Sequence, residues 1–268
     1  MWNPVSLDTV CGALAYAMGI EPPREAAAGN ASLMGYIDQV FDGGKADRVV
    51  MYNPDAIAQW VAQKYAHLLP QTAAFGEIEI PLCTVMPSVT PVCFGTMYTG
   101  AQPAVHGIQK YEKPVITIDT LFDALLRAGK RVAILSYGAC SMGKIFLERD
   151  MDYYHFETGG IEAVNAKMME VLTEDKHDFV VIYNGNYDSR MHKTGPESVE
   201  SLAELRLNDH IFGVICNYVE KNWQHHNTLV GFAMDHGCHE IDGGCGSHGL
   251  DMDEDLNICH VYRGFGKK

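Results

Sequence analysis

Positive charge is scarce in this chain: 20 Lys and Arg stand against 34 Asp and Glu over 268 residues, a formal net charge of −14. A surface of that sign repels phosphate polymers and argues against a nucleic-acid partner. No apolar run reaches the ~18–20 residues that a bilayer span needs. The longest near the start, VCGALAYAMGI, follows Asp8 and lacks the basic flank of a signal peptide, so it reads as an amphipathic helix. The expectation is a cytoplasmic protein without a membrane partner. None of the 8 cysteines forms a C-x-x-C pair, and without an export signal they are expected to be reduced, buried and hydrophobic in role. Repeats, low-complexity tracts and Pro/Ser-rich linkers are also missing, which leaves no marked division between domains.

The composition that is present, 47% hydrophobic and 20% charged, is that of a globular protein. A chain of this length buries enough surface to fold without a metal staple, so any metal it binds serves function. Residues 6–19 carry a helical pattern and a second short helix falls between Glu21 and Lys45, which together suggest an N-terminal helical appendage over 1–46 packed on a core of 47–268. From Asp47 onward strand and helix patterns alternate. RVVMY precedes AIAQWVAQKY, TLFDALLRAGK leads into RVAILSYG, IEAVNAKMMEVLTED into DFVVIYN, and a long helical region from Glu197 to Trp223 into TLVGFAMD. Continuous apolar strands alternating with helices predict an α/β fold, a mostly parallel sheet sandwiched by helices.

In such sheets ligands bind beyond the carboxyl ends of the strands. Metal-binding residues follow several of these runs: Asp55 after RVVMYNP, Asp188 and His192 after DFVVIYNGNY, and Asp235 and His236 after TLVGFAM. GSHG adds His248 between glycines. Three carboxylates and three imidazoles suit zinc or manganese better than calcium or magnesium. In PSVTPVCFGTMYTG, Pro91 fits the first turn of a helix and makes Thr90 its N-cap, a position that favours negative charge. A metal could activate the Thr90 hydroxyl there as a nucleophile toward phosphorus.

The segment PSVTPVCFGTMYTGAQPAVHGI resembles the nucleophile segment of the alkaline phosphatase superfamily, particularly its type I phosphodiesterase/nucleotide pyrophosphatase branch. DSRMHKTGPES is similar to the D-x-x-x-H-x-x-G-P segment of that branch, and MDHG and GSHG to its two closing metal motifs. The resemblance, over residues 47 to about 250, implies one divalent ion on Asp188, His192 and His248 and a second on Asp55, Asp235 and His236, with Thr90 bound to the second. It further implies an alkaline phosphatase-like core acting on a small phosphate ester through a phosphothreonine-type intermediate. Zinc is the expected metal and manganese the alternative. Where the branch carries an asparagine after H-G-I, this chain has Lys110 and Tyr111, which become the candidate substrate-binding residues. The short connection between His192 and Asp235 leaves no room for a large cap domain.

The expected activity is a two-metal phosphodiesterase or nucleotide-type hydrolase. A phosphomonoesterase, phosphonate hydrolase or phosphosugar mutase on the same core, and an inactive binding module of another class, are the alternatives; a homo-oligomer is left open. Cys238, His239, Cys245 and His248 could suggest a structural zinc site, but their spacing does not fit a knuckle. His106 is read as part of a turn and His225-His226 as a solvated helix end, and neither is taken as a ligand.

Overall fold

The computed structural model describes residues 1–268. Nine strands form in chain order: β1 (Arg48–Pro54), β2 (Ile78–Cys83), β3 (Val132–Tyr137), β4 (Asp152–Phe156), β5 (Phe179–Asn184), β6 (Thr228–Phe232), β7 (His239–Ile241), β8 (Cys245–Ser247) and β9 (Asn257–Phe265). Seven of them make one sheet in the order β2-β9-β6-β1-β5-β3-β4, and β7 and β8 make a separate hairpin. Neighbours pair in parallel except around β9, which runs antiparallel to both β6 and β2. β1, β5 and β6 are the central strands, and their near-continuous apolar sequence matches burial on both faces. β2 lies at an edge, where Pro81 is tolerated although it cannot donate to the ladder.

The helices are α1 (Thr9–Met18), α2 (Ala31–Val40), α3 (Gln59–Lys64), α4 (Pro70–Phe75), α5 (Thr90–Thr99), α6 (Pro103–His106), α7 (Leu121–Arg127), α8 (Gly160–Glu174), α9 (Asn186–Thr194), α10 (Val199–Asn222) and α11 (Asp253–Leu256). α7 starts at a reciprocal cap, in which Thr120 accepts from the Asp123 amide and Asp123 accepts from the Thr120 amide. α1, α5 and α7 pack on one another, and α4 and α9 each pack on α10. α1 is buried along most of its length and belongs to the same hydrophobic core as the sheet. Between α9 and β6 the chain forms only α10, so the molecule has no large cap domain. No helix is long and apolar enough to cross a membrane.

Candidate active site

Three adjacent strands aim their carboxyl ends at one place. Asp55 follows β1, and its amide still bonds the Asn184 carbonyl of β5 at 2.9 Å. Ala233 bonds back to the Tyr52 carbonyl at 2.9 Å, so the chain leaves β6 extended and delivers Asp235 and His236 beside Asp55. After β5 the chain turns into α9, where the four-residue spacing of Asp188 and His192 puts both on one face, with His192 Nε2 3.2 Å from Asp188 Oδ1. His248 follows β8. The hairpin can lie against α9 because Gly246 has no side chain: a Cβ there would stand 2.3 Å from Met191 Sδ.

Thr90 enters at the start of α5. Val89, not Thr90, occupies the N-cap position; its carbonyl accepts from the Val92 and Cys93 amides, and Thr90 is the first helical residue. The difference of one residue releases the Thr90 hydroxyl from capping. Its Oγ1 lies 3.4 Å from Asp55 Oδ2 and 3.4 Å from His236 Nε2.

The structure thus brings seven residues into two adjoining sets, joined by the stacked rings of His236 and His248, whose centroids are 4.1 Å apart. Asp55, Asp235, His236 and Thr90 are sealed from solvent, while Asp188, His192 and His248 are more open. Each imidazole points its Nδ1 at a backbone carbonyl: His192 at Gly246 (3.0 Å), His236 at Gly237 (2.9 Å) and His248 at Ser88 (2.9 Å). A carbonyl only accepts, so each Nδ1 carries the proton and each Nε2 lone pair faces the site, the arrangement by which proteins orient metal-binding histidines.

The donor atoms of both sets are spaced for a shared cation. Asp55 Oδ1 and Asp235 Oδ2 are buried without a hydrogen-bond partner, and each is 3.4 Å from His236 Nε2. In the second set His192 and His248 bring their Nε2 atoms to 3.1 Å of each other, and His248 Nε2 is 3.4 Å from Asp188 Oδ1. Ligands ~2.0–2.1 Å from one tetrahedral ion stand ~3.3 Å apart. Acceptors facing acceptors in a buried site are costly unless a cation lies between them, and the residues present fit one in each set.

The electrostatics agree. Burial, and then the charge of Asp188, pushes Asp55 up to about 7; burial, and then Asp55, pushes Asp235 well above the carboxylate range. Burial holds His236 well below its usual value and therefore neutral. Burial works to raise Asp188, but the two adjacent imidazoles, His192 and then His248, outweigh it and hold the carboxyl low.

The other candidates find their hydrogen-bond and ion-pair partners outside the seven. Lys110 is exposed and pairs with Glu112 at 3.2 Å, and Tyr111 is exposed beneath the Lys113 ammonium. His106 is buried, pushed down to about 4 by that burial, and bonded to Thr96 Oγ1 at 3.0 Å, a structural role. Cys238, His239, Cys245 and His248 do not converge: His239 donates to Asp255 Oδ1 at 2.7 Å, while Cys245 Sγ contacts the Lys193 carbonyl.

Two supporting residues carried no motif. Tyr183 donates its hydroxyl to Asp55 Oδ2 at 2.6 Å; a phenol inside a fully buried strand needs a partner, and that is the signal by which it could have been found. Asp255 is a clasp. Its Oδ1 accepts from His239, its Oδ2 from the Leu250 amide at 2.8 Å, and its carbonyl from the Gly237 amide at 2.8 Å, so one residue ties down the segments carrying His236 and His248. Asp255→Ala removes two of these bonds, each worth about 1.5–3 kcal/mol when an acceptor is charged. The expected result is a lower melting temperature together with weaker zinc binding, measured by thermal unfolding and metal titration. Unchanged zinc affinity would mean that the clasp supports the hairpin alone.

A model of the type I phosphodiesterase / nucleotide pyrophosphatase family matches residues 53–262. No curated protein matches the sequence. Among solved structures, an inactive variant of murine ectonucleotide pyrophosphatase/phosphodiesterase 5 in complex with AMP is 16% identical with a TM-score of 0.56, covering 74% of this chain and 59% of that one. Phosphonoacetate hydrolase from Sinorhizobium meliloti 1021, in complex with phosphonoformate, is 19% identical with a TM-score of 0.53, covering 75% of this chain and 59% of that one. The C-terminal periplasmic domain of a phosphoethanolamine transferase from Campylobacter jejuni is 12% identical with a TM-score of 0.59, covering 82% and 80%. The chain therefore spans about three-fifths of the first two proteins, and these likenesses bear on the fold.

Proposed function

Because the chain belongs to the type I phosphodiesterase/nucleotide pyrophosphatase family, we propose that it hydrolyses a small phosphodiester or nucleotide-type ester with Thr90 as nucleophile. The observation that carries this reading is the inward set of three Nε2 atoms and three unpartnered carboxylate oxygens, on Asp55, Asp188 and Asp235, with the Thr90 hydroxyl against Asp55 and His236. Asp188, His192 and His248 would hold one divalent ion, and Asp55, Asp235, His236 and Thr90 another, zinc by the chemistry of the donors and manganese as the alternative. Such ions neutralise charge on the phosphoryl group and on the entering and leaving oxygens.

The chain's own residues do the positioning. Tyr183 fixes the Asp55 carboxylate, and Asp55 and His236 flank Thr90 Oγ1. The Thr90 hydroxyl gives up its proton as Oγ1 bonds to phosphorus, and the ester oxygen departs on the opposite side and takes up a proton to leave as an alcohol; water then cleaves the new O–P bond, returning one proton to Oγ1 and its hydroxyl to the released phosphate. In the first turn of α5 the Val92 and Cys93 amides donate to Val89 and Pro91 has no N–H, which leaves the Thr90 amide available to a phosphoryl oxygen.

Ester class follows from the cations that are missing. A monoester carries two negative charges on its non-bridging oxygens and rewards an additional cation, whereas a diester carries one. The sequence has no arginine between Arg48 and Arg127; Lys110 is paired with Glu112, and Arg190 stands 3.9 Å from Glu204. The expected result is a higher kcat/KM for bis(p-nitrophenyl) phosphate than for p-nitrophenyl phosphate in zinc-loaded protein. A monoester preference above ~100-fold, or about 2.7 kcal/mol of transition-state binding, would reverse the assignment. Phosphonoacetate belongs in the same panel, since a neighbour of this fold binds phosphonates, and turnover of none of these would favour a binding module.

A further inference from the structure

At the end of the sheet opposite the candidate active site, the segments that lead into β1, β5 and β6 meet. They lie a strand length away from it, roughly 20 Å. Asp175 ends α8 with a left-handed backbone, φ 48°. Arg48 Nε holds Asp175 Oδ1 at 2.9 Å and leaves Oδ2 facing two imidazoles: His226 Nε2 at 2.8 Å and His225 Nε2 at 3.3 Å. The three donor atoms lie within 4.8 Å of one another. The histidine pair is thus a convergent set with a carboxylate, not a solvated helix end.

We propose that Asp175, His225 and His226 form a separate divalent transition-metal site that clips the end of α8 to the turn between α10 and β6. An ion pair alone accounts poorly for the geometry. One imidazolium would satisfy Oδ2, and two of them, with ring centroids 4.0 Å apart and beside the Arg48 guanidinium, would repel. A single ion shared by two neutral Nε2 atoms and one carboxylate oxygen removes that repulsion, and two nitrogens with one oxygen select zinc, nickel, cobalt or copper over magnesium and calcium. The surroundings are anionic as well: the carboxylates of Asp175 and Asp178 share the one guanidinium of Arg48, which bonds Asp178 Oδ1 at 2.7 Å, and the carboxylate of neighbouring Asp47 has no cation, its Oδ2 accepting from the Asn227 amide at 2.8 Å. Arg48 orients the carboxylate from behind, as outer partners of metal ligands do.

The test is calorimetric titration of the full chain with Zn²⁺, followed by elemental analysis, for the wild type, His225→Ala/His226→Ala and the milder His225→Gln at the exposed ring. The expected result is one more bound equivalent in the wild type than in the double variant, at least 10-fold weaker binding of that equivalent in His225→Gln, and hydrolytic activity unchanged in both variants. Adding Zn²⁺ should also raise the melting temperature further in the wild type than in the double variant. Equal stoichiometry in wild type and double variant, or a His225→Gln titration identical to wild type, overturns the proposal. Because these residues are remote from Thr90, that outcome leaves the hydrolase reading untouched.

Discussion

Thr90→Ala lowers kcat/KM on the best ester substrate by about 10³-fold or more, with the fold and most of the metal content retained. The size follows from the role. A nucleophile provides the covalent path itself, and its removal leaves only the binding and electrostatic part of catalysis. The cost to stability is small because the Thr90 side chain does not cap α5, where Val89 holds that place. The only contacts of Oγ1 are the two at 3.4 Å, to Asp55 and His236. One ligand atom among several is lost, so metal analysis should change little. Thr90→Ser keeps the hydroxyl and should retain measurable turnover. Trapping of phosphate on Thr90 in a quenched reaction, detected by mass, would be the positive sign; near wild-type rates in Thr90→Ala would instead mean direct attack by water.

The central sheet was legible because β1, β5 and β6 are buried on both faces and must be written as continuous apolar runs. The same rule exposed the site, since Asp55, Asp235 and His236 directly follow two of those runs. The edges were not legible. β4, DYYHF, is only partly buried, β2 contains Pro81, and the pairing of β2 with β9 joins residues about 180 positions apart, which no local pattern encodes. The polar α9 likewise gave no apolar stripe to mark Asp188 and His192 as helical neighbours. Least legible were the features that orient the three imidazoles: the carbonyls of Gly246, Gly237 and Ser88 that set each ring carry no side-chain signature. The glycines of MDHG and GSHG were visible as motifs, but their reason is contact. A Cβ on Gly237 would lie 2.0 Å from the Glu254 carbonyl oxygen, so the segment could not pass α11 on its way from His236.

Asp235→Asn is expected to separate stability from function. In metal-free protein Asp235 and Asp55 are buried together, each with an unpartnered oxygen. Burial and mutual repulsion push Asp235 well above the carboxylate range, and Asp55 rises to about 7. An acid that the fold holds protonated, while the unfolded chain releases its proton near pH 4, contributes stability that is present below about pH 4 and lost as pH rises toward its folded-state value, about 7 for Asp55. Chelated wild-type protein should therefore be less stable at pH 8 than at pH 5. The carboxamide introduced by the substitution carries no charge, keeps an oxygen for the Ala56 amide that now bonds Asp235 at 3.2 Å, and can donate to His236 Nε2. The chelated variant should then be about 1–3 kcal/mol more stable than chelated wild type at pH 8, with a flatter dependence on pH. Zinc reverses the order: the wild type gains RT ln(1 + [L]/Kd) at a site with its carboxylates intact, about 4 kcal/mol at a thousandfold excess over Kd, and the variant gains far less. Hydrolysis falls with the lost ligand by ~10²-fold or more. Thermal unfolding at pH 5 and pH 8, with chelator and with zinc, reads all of this in one set of curves. Wild type that is more stable than Asp235→Asn in chelator at pH 8 would show that the two buried carboxylates are not the source of strain in the chelated protein, and zinc curves that keep the chelator order would show that Asp235 is not a ligand.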